Sequence, residues 1–225
     1  MFERLERLIG KENITAIANK NVLLVGLGGV GGTVLEALVR SGIRNITVID
    51  KDVFDKSNLN RQILCTADLI GKSKVSGAID RVKSIDDNIN ITGLEMEINE
   101  ESIKSLQTNF DFIIDACDDI SAKLNLIRFA SESNIKIICA LGTGKRLDPT
   151  NVIITTLDKT QNDPLAKKLR YYVRKNNLNI KIPVVYSLSQ PLNKETVIAS
   201  SIFVPSTAGL YLAYYVINAI ITCNK

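Results

Sequence analysis

The chain has 225 residues, with 28 basic and 24 acidic side chains, a formal net charge of +4 and no histidine. A chain of this length buries about 70–75% of the surface its unfolded form exposes, so it needs no disulfide or metal staple. The missing histidine excludes a histidine base, nucleophile or metal ligand. The positive balance admits an anionic partner without identifying one. Cys65, Cys117, Cys139 and Cys223 form no CxxC pair, which argues against structural zinc. Scattered thiols and an opening Met-Phe-Glu-Arg-Leu-Glu-Arg, with no apolar signal core, point to the cytoplasm.

Residues 3–18 predict short amphipathic helices, with Leu5, Leu8, Ile9, Ile14 and Ile17 as their apolar faces. Asn21–Val25 is a short apolar run ended by glycines, the pattern of a buried parallel strand. A helix over 29–41 and a strand over Asn45–Asp50 follow, then a helix over 72–87 with Val75, Ile79, Val82 and Ile85 on one face. Next come a strand over 89–96, a helix over 101–107, a strand over 111–115, a helix over 120–133 and a strand over Lys136–Ala140. This alternation predicts right-handed βαβ units in a Rossmann-like, doubly wound, mostly parallel α/β sheet.

Beyond Gly142 the rhythm changes. Strands are expected over Val152–Thr156 and 184–187, with a basic helix between them from Asp163-Pro164 and a further strand over 197–204. No repeat or long linker divides the chain, so residues 1–225 read as a single α/β domain. Within it, 1–140 form a nucleotide-binding part and 141–225 a modified substrate-side extension with a closing helix. Residues 196–224 carry no charge and approach the length of a membrane span, about 20 apolar residues. The helix-start signal Pro205-Ser206-Thr207 and the interspersed Thr, Gly, Asn and Tyr favour a buried helix, with no stable membrane insertion.

Gly26-Leu27-Gly28-Gly29-Val30-Gly31 places GxGxxG between a strand and a helix, where phosphates can approach backbone N–H groups. Asp50 ends the second strand, where an acid can bond a ribose hydroxyl. The motif alone fits a dinucleotide dehydrogenase, but Asn58, Arg61 and Lys74 add an amide and two cations. That is more positive charge than a pyrophosphate held by backbone amides requires, and it suits a triphosphate. Asp115-Ala116-Cys117-Asp118-Asp119 then sets three carboxylates at the end of the fourth strand. Such a cluster repels dinucleotide phosphates unless a cation intervenes. Mg²⁺ takes few carboxylates plus phosphate oxygens, which makes Asp118 a candidate ligand. Either Asp118 or Asp119 can instead cap the following helix.

The glycine turn, the Asp50-x-Asp52 pair, Asn58-x-x-Arg61-Gln62, Gly71-Lys72-Ser73-Lys74 and Asp115-Ala116-Cys117-Asp118 resemble the ThiF/MoeB superfamily, related to ubiquitin-activating enzymes. The resemblance implies adenylation of a carboxylate with MgATP. It implies that Asp50, Asn58, Arg61, Gln62 and Lys74 line the ATP pocket, that Asp118 binds Mg²⁺, and that the enzyme is a homodimer. An N-terminal arginine would reach the partner subunit's phosphates; Arg4 aligns with it, and Arg7 is the alternative. The C-terminal third is similar to the tRNA threonylcarbamoyladenosine dehydratases in Asp148-Pro149-Thr150, Asp163-Pro164-Leu165-Ala166, Val184-Val185-Tyr186-Ser187 and Phe203-Val204-Pro205-Ser206. That similarity implies ATP-dependent cyclisation of threonylcarbamoyladenosine beside the tRNA anticodon, and it leaves room for a sulfur-transfer protein partner.

Adenylation followed by internal capture needs charge stabilisation and positioning, with no obligatory His or Cys. Val184 and Val185 stand where some dehydratases carry a cysteine, which argues against a covalent thioester. Carboxylates around Cys117 should raise its pKa. For tRNA, the expected basic surface is Lys167, Lys168, Arg170 and Arg174, together with Lys175, Lys145 and Arg146. Two rivals stand beside this reading. One is adenylation of the C-terminus of a ubiquitin-like sulfur carrier, and the other a non-catalytic nucleotide module or a dehydrogenase.

Overall fold

The computed structural model describes residues 1–193 and 199–223. Two short helices, α1 (Glu3–Ile9) and α2 (Lys11–Ala18), lead into β1 (Asn21–Val25), α3 (Gly31–Arg40), β2 (Asn45–Asp50), α4 (Lys74–Ile85) and β3 (Asn90–Glu95). Then come β4 (Phe112–Asp115), α5 (Ile120–Glu132), β5 (Lys136–Ala140), β6 (Val152–Thr156), α6 (Pro164–Lys175), β7 (Pro183–Ser187) and α7 (Phe203–Cys223). The seven strands form one sheet in the order β3-β2-β1-β4-β5-β7-β6. All pairings are parallel except that of β6 with β7. The doubly wound, mostly parallel sheet expected from the alternation is therefore present.

The register explains why the apolar runs became central strands. Val22 and Leu24 of β1 face the side covered by α3, α4 and α7, while Leu23 and Val25 face the side covered by α5. A strand covered on both faces must be apolar at every position. Strand order reverses between β1 and β4, and the crevice outside the carboxyl ends at such a switch point is where ligands bind in open α/β sheets.

Helix α7 has 21 residues and a mean hydropathy of 1.3, enough on length and composition to cross a membrane. Its Ala208, Leu212, Val216 and Ile220, four residues apart, are instead buried in the core against α3 and the sheet. A Cβ added to Gly209 would lie 2.6 Å from the Val30 carbonyl oxygen and 2.8 Å from Thr33 Cβ, so glycine permits this close approach. Alongside it the Thr33 hydroxyl donates to Ser206 Oγ at 3.3 Å.

Two sequence expectations need correction. Residues 101–107 form only a short 3-10 turn, Ser102–Ser105, because the backbone is already extended at Leu106 and only Ile103 and Leu106 give the segment a buried apolar contact. The strand expected over 197–204 is not formed: residues 197–198 lie outside the described residues, 199–202 are irregular, and Phe203 and Val204 open α7. Pro205 in the first turn of α7 has no partner to lose, because first-turn N–H groups have none inside the helix. The helix can thus begin two residues earlier than the helix-start signal suggests. Gly209→Ala should lower stability by about 1–3 kcal/mol, because the new methyl meets backbone and cannot rotate away. Urea denaturation would show this as a lower midpoint at unchanged slope.

Candidate active site

A cleft of 1270 Å³ opens across the carboxyl ends of β2, β1, β4 and β5, and its far wall includes the start of α6. The turn after β1 forms its floor. A Cβ on Gly31 would overlap the Gly26 carbonyl oxygen, so the turn into α3 closes only with glycine there. Around a Cβ added to Gly28 the nearest atom is Gln62 Nε2 at 3.9 Å, so that face of the turn lies open to the cleft. Gly26, Gly28 and Gly29 line the cleft, while Gly31 is buried beneath it.

Asp50 anchors this turn. Its carboxylate accepts from Leu27 N at 2.6 Å and from Asp52 N at 2.9 Å. Lys74, the first residue of α4, is buried with Nζ 2.8 Å from Asp52 Oδ2 and 4.0 Å from Asp50 Oδ1. Ser73 caps α4 and so fixes where Lys74 emerges. Residues 58–62 make one tight turn, with Arg61 N and Gln62 N both donating to the Asn58 carbonyl. Asn58, Arg61 and Gln62 consequently share the cleft wall. Arg61 Nη1 donates to the Ser57 carbonyl at 2.7 Å, and Gln62 Oε1 is buried without a partner among the described residues.

At the end of β4 the three carboxylates separate into three environments. Asp119 caps α5 by accepting from Ala122 N at 2.7 Å, which resolves the capping ambiguity. Asp118 is exposed and lines the cleft, and no hydrogen bond to it is found among the described residues. Asp115 does not face the cleft as a free charge, contrary to the sequence reading. It pairs with Lys123 at 2.9 Å, both side chains being wholly buried, and Lys123 also donates to the Ala140 carbonyl at 2.7 Å. Burial works against the Lys123 ammonium, but the Asp115 carboxylate outweighs it and holds the Lys123 pKa above the ordinary lysine value. Burial, and then the Asp115 charge, push the Cys117 and Cys139 thiols well above theirs, so neither is a ready nucleophile.

The far wall comes from the segment after β5. Gly142 to Arg146 line the cleft together with Asp163, whose carboxylate accepts from Gly142 N at 2.7 Å and from Leu165 N and Ala166 N of α6. Of the basic helix, Lys167 and Arg170 reach the cleft mouth, with Arg170 donating to Thr160, while Lys168 and Arg174 are exposed outside it. Arg4 on α1 is exposed and lies away from this cleft, and Arg7 pairs with Glu3.

A profile described as the ThiF family matches residues 2–188. The chain belongs to the ThiF family. Within it, the chain is 33% identical over 235 residues to the tRNA threonylcarbamoyladenosine dehydratase of Bacillus subtilis (strain 168), an alignment that spans 96% of this chain and 92% of the relative. Among solved structures, the Escherichia coli tRNA N6-threonylcarbamoyladenosine dehydratase in complex with AMP superposes with a TM-score of 0.92 at 27% identity, covering 97% of this chain and 92% of that one. Its complex with ATP gives a TM-score of 0.92 at 27% identity, with coverage of 99% and 94%.

Two features of this ThiF-family cleft escaped the sequence reading. Lys123 lies on the same stripe of α5 as Ile127 and Ala130, and a lysine on a core-facing stripe was the available sign of a buried partner. Arg146 was noted only as surface charge, although it follows the Gly142-Thr143-Gly144 turn at a strand end. Lys123→Met should lower stability by about 3–5 kcal/mol, because it strands the buried Asp115 charge. Adding Asp115→Asn should recover part of that loss, measured as urea midpoints of the single and double variants.

Proposed function

We propose that this chain is an ATP-dependent dehydratase that cyclises N6-threonylcarbamoyladenosine in tRNA by adenylating its threonine carboxylate. The carrying observation is the match to named dehydratases along nearly the whole length of both chains, in sequence and in structure. Residues 1–140 hold ATP in this reading, and 141–225 shape the side where the second substrate enters. The N–H groups of the turn at Gly28 and Gly29 receive phosphate oxygens, and the macrodipole of α3 adds to their field. Asp50 and Asp52 fix the ribose end, Asn58 and Gln62 hold the nucleotide in register, and Arg61 and Lys74 draw charge off the phosphates as pyrophosphate leaves.

The donor set at Asp118 suits Mg²⁺. No group of three or more His, Cys, Asp or Glu converges on a point among the described residues. One free carboxylate beside a phosphate site is the minimal protein contribution that Mg²⁺ accepts. When bound, the ion would neutralise phosphate charge. The threonine carboxylate oxygen attacks the α-phosphate, pyrophosphate leaves, and the carbamoyl group of the same substrate displaces AMP from the acyl carbon with loss of a proton. Holding both reacting groups on one molecule in the cleft makes the second step intramolecular.

We place a second copy of the chain beside the first, so that Arg4 of one protomer serves the other's phosphates, with the cytoplasm as its compartment. The exposed Leu210, Tyr211 and Tyr214 of α7 support an apolar contact of that kind. Lys167, Lys168, Arg170 and Arg174 lie on α6 beside the cleft mouth, in position for tRNA phosphates. A sulfur-transfer protein is the further partner that the resemblance admits. Adenylation of a ubiquitin-like sulfur carrier has less support: past Cys139 the sequence offers only Cys223, near the end of α7 and far from the cleft lining.

Nucleosides from threonylcarbamoyl-modified tRNA, incubated with the protein, ATP and Mg²⁺, should lose one water from threonylcarbamoyladenosine and yield AMP, with no change when ATP is omitted. Pyrophosphate exchange stimulated by a ubiquitin-like carrier, without that loss, would transfer the assignment to the rival. Asp118→Ala should cut turnover by about 100-fold or more without moving the melting temperature; wild-type activity at limiting Mg²⁺ would remove Asp118 from the metal site. Lys168→Glu with Arg174→Glu should weaken tRNA binding and flatten its salt dependence by about one to two counterions. ATP affinity should be unaltered in that variant.

A further inference from the structure

Arg146 is a buried cation that the adenylation machinery described above does not use. Its side chain lines the cleft, yet it is only 5% exposed. Nε donates to the Ser189 carbonyl at 2.8 Å and Nη1 to the Gly144 carbonyl at 3.1 Å, while Nη2 is buried without a partner among the described residues. No carboxylate lies within 4 Å of it among the described residues; Asp163 favours its charge from further away, but its oxygens are taken by the backbone N–H groups of Gly142, Leu165 and Ala166. A guanidinium cannot give up its proton in a protein, and burying one without compensation is costly. Such a group stays in a fold when something anionic completes it.

The sheet order says which substrate that is. Reading across the carboxyl ends, Asp50 lies at β2, the glycine turn at β1, Asp118 at β4 and Arg146 beyond β5. A nucleotide with its ribose at Asp50 and its phosphates over the glycine turn ends near Asp118. Arg146 lies one strand further, on the side left for the molecule to be activated. The two backbone contacts leave Nη2 and the second hydrogen of Nη1 free, the edge of an arginine that binds a carboxylate through two parallel hydrogen bonds.

We infer that Arg146 binds the substrate carboxylate and orients one of its oxygens towards the α-phosphate before adenylation. This rests on the dehydratase reading, in which that carboxylate belongs to the threonyl group of the modified adenosine. Arg146 thus selects for a carboxylate-bearing substrate, as distinct from the phosphate contacts made elsewhere in the cleft.

The test compares wild type with Arg146→Gln on two tRNA substrates, one carrying the threonylcarbamoyl carboxylate and one its carboxamide. Wild-type turnover of the carboxylate substrate is the control, and its absence would remove the dehydratase reading itself. Given that turnover, Arg146→Gln should raise the KM for modified tRNA by about 10–100-fold, as expected for a lost charge-assisted pair. Its KM for ATP should stay within about threefold. Wild type should bind the carboxylate tRNA about tenfold or more better than the carboxamide, and the variant should show no preference. An unchanged KM, a retained preference for carboxylate, or an equal loss of ATP affinity would each overturn the inference, the last by placing Arg146 on the nucleotide phosphates. Should Arg146→Gln fail to fold, Arg146→Lys keeps the charge without the two-pronged edge: it should raise the KM for modified tRNA and narrow the carboxylate preference without abolishing it, and an unchanged KM or a shifted KM for ATP would overturn the inference.

Discussion

The contact on which the cleft depends is the ion pair between Asp115 and Lys123. Lys123 reaches from the first turn of α5 to the carboxylate that ends β4 and to the carbonyl that ends β5. Both side chains are wholly buried, so water does not weaken their attraction, and neither could stay charged there alone. The pair ties together the ends of two strands that carry different working parts, Asp118 after β4 and the Gly142–Arg146 segment after β5. The two strand ends, already joined by the β4–β5 ladder, are thus also tied together below the cleft surface. The raised thiols of Cys117 and Cys139 follow from the same burial and the same carboxylate.

The cleft also divides its charges. Each acid on the β2 side is held by a backbone amide or by Lys74, and its geometry is thereby fixed before any ligand arrives. On the β5 side Asp163 is consumed by three backbone amides and leaves Arg146 under-compensated. The acids at one end are thus already satisfied, which suits them to a polar, neutral group such as a ribose. The other end has unmet hydrogen-bonding capacity suited to an anion. In the proposed joining of a nucleotide to a carboxylate, this asymmetry would give each substrate its own end.

Much of this was legible in the sequence wherever local pattern and burial agree. β1 had to be a central strand because Val22 to Val25 are apolar at every position, whereas the glycine turn after it fits a dinucleotide by itself and only Asn58, Arg61 and Lys74 turned the reading towards a triphosphate. The helix expected over 101–107 failed because two buried apolar residues, Ile103 and Leu106, are too few to hold more than one turn, and the backbone turns extended at Leu106. The strand expected around Val204 failed because β-branched residues before Pro205 read as extended, while the tertiary contact of Val204 with the core favours helix. Lys123 and Arg146 escaped for one reason: whether a single charge is buried is decided by tertiary packing, which encloses Lys123 between the ends of β4 and β5 and holds Arg146 on the Ser189 carbonyl, 43 residues on. Asp115 was read as a cleft acid for the same reason, its partner lying one helical turn into α5.

The packing of α7 on α3 has a consequence for how the protein is made. The Pro205 ring stands 3.3 Å from where a side chain on Gly29 would begin, and Gly209 sits against the Val30 carbonyl. The glycine turn after β1, formed by residues near position 30, is therefore buttressed by residues past position 200. On the ribosome the turn emerges early and waits unsupported while most of the sheet is synthesised. That support is complete only when the helix beginning at Phe203 docks, so an early-synthesised part of the cleft is finished by the contacts of α7.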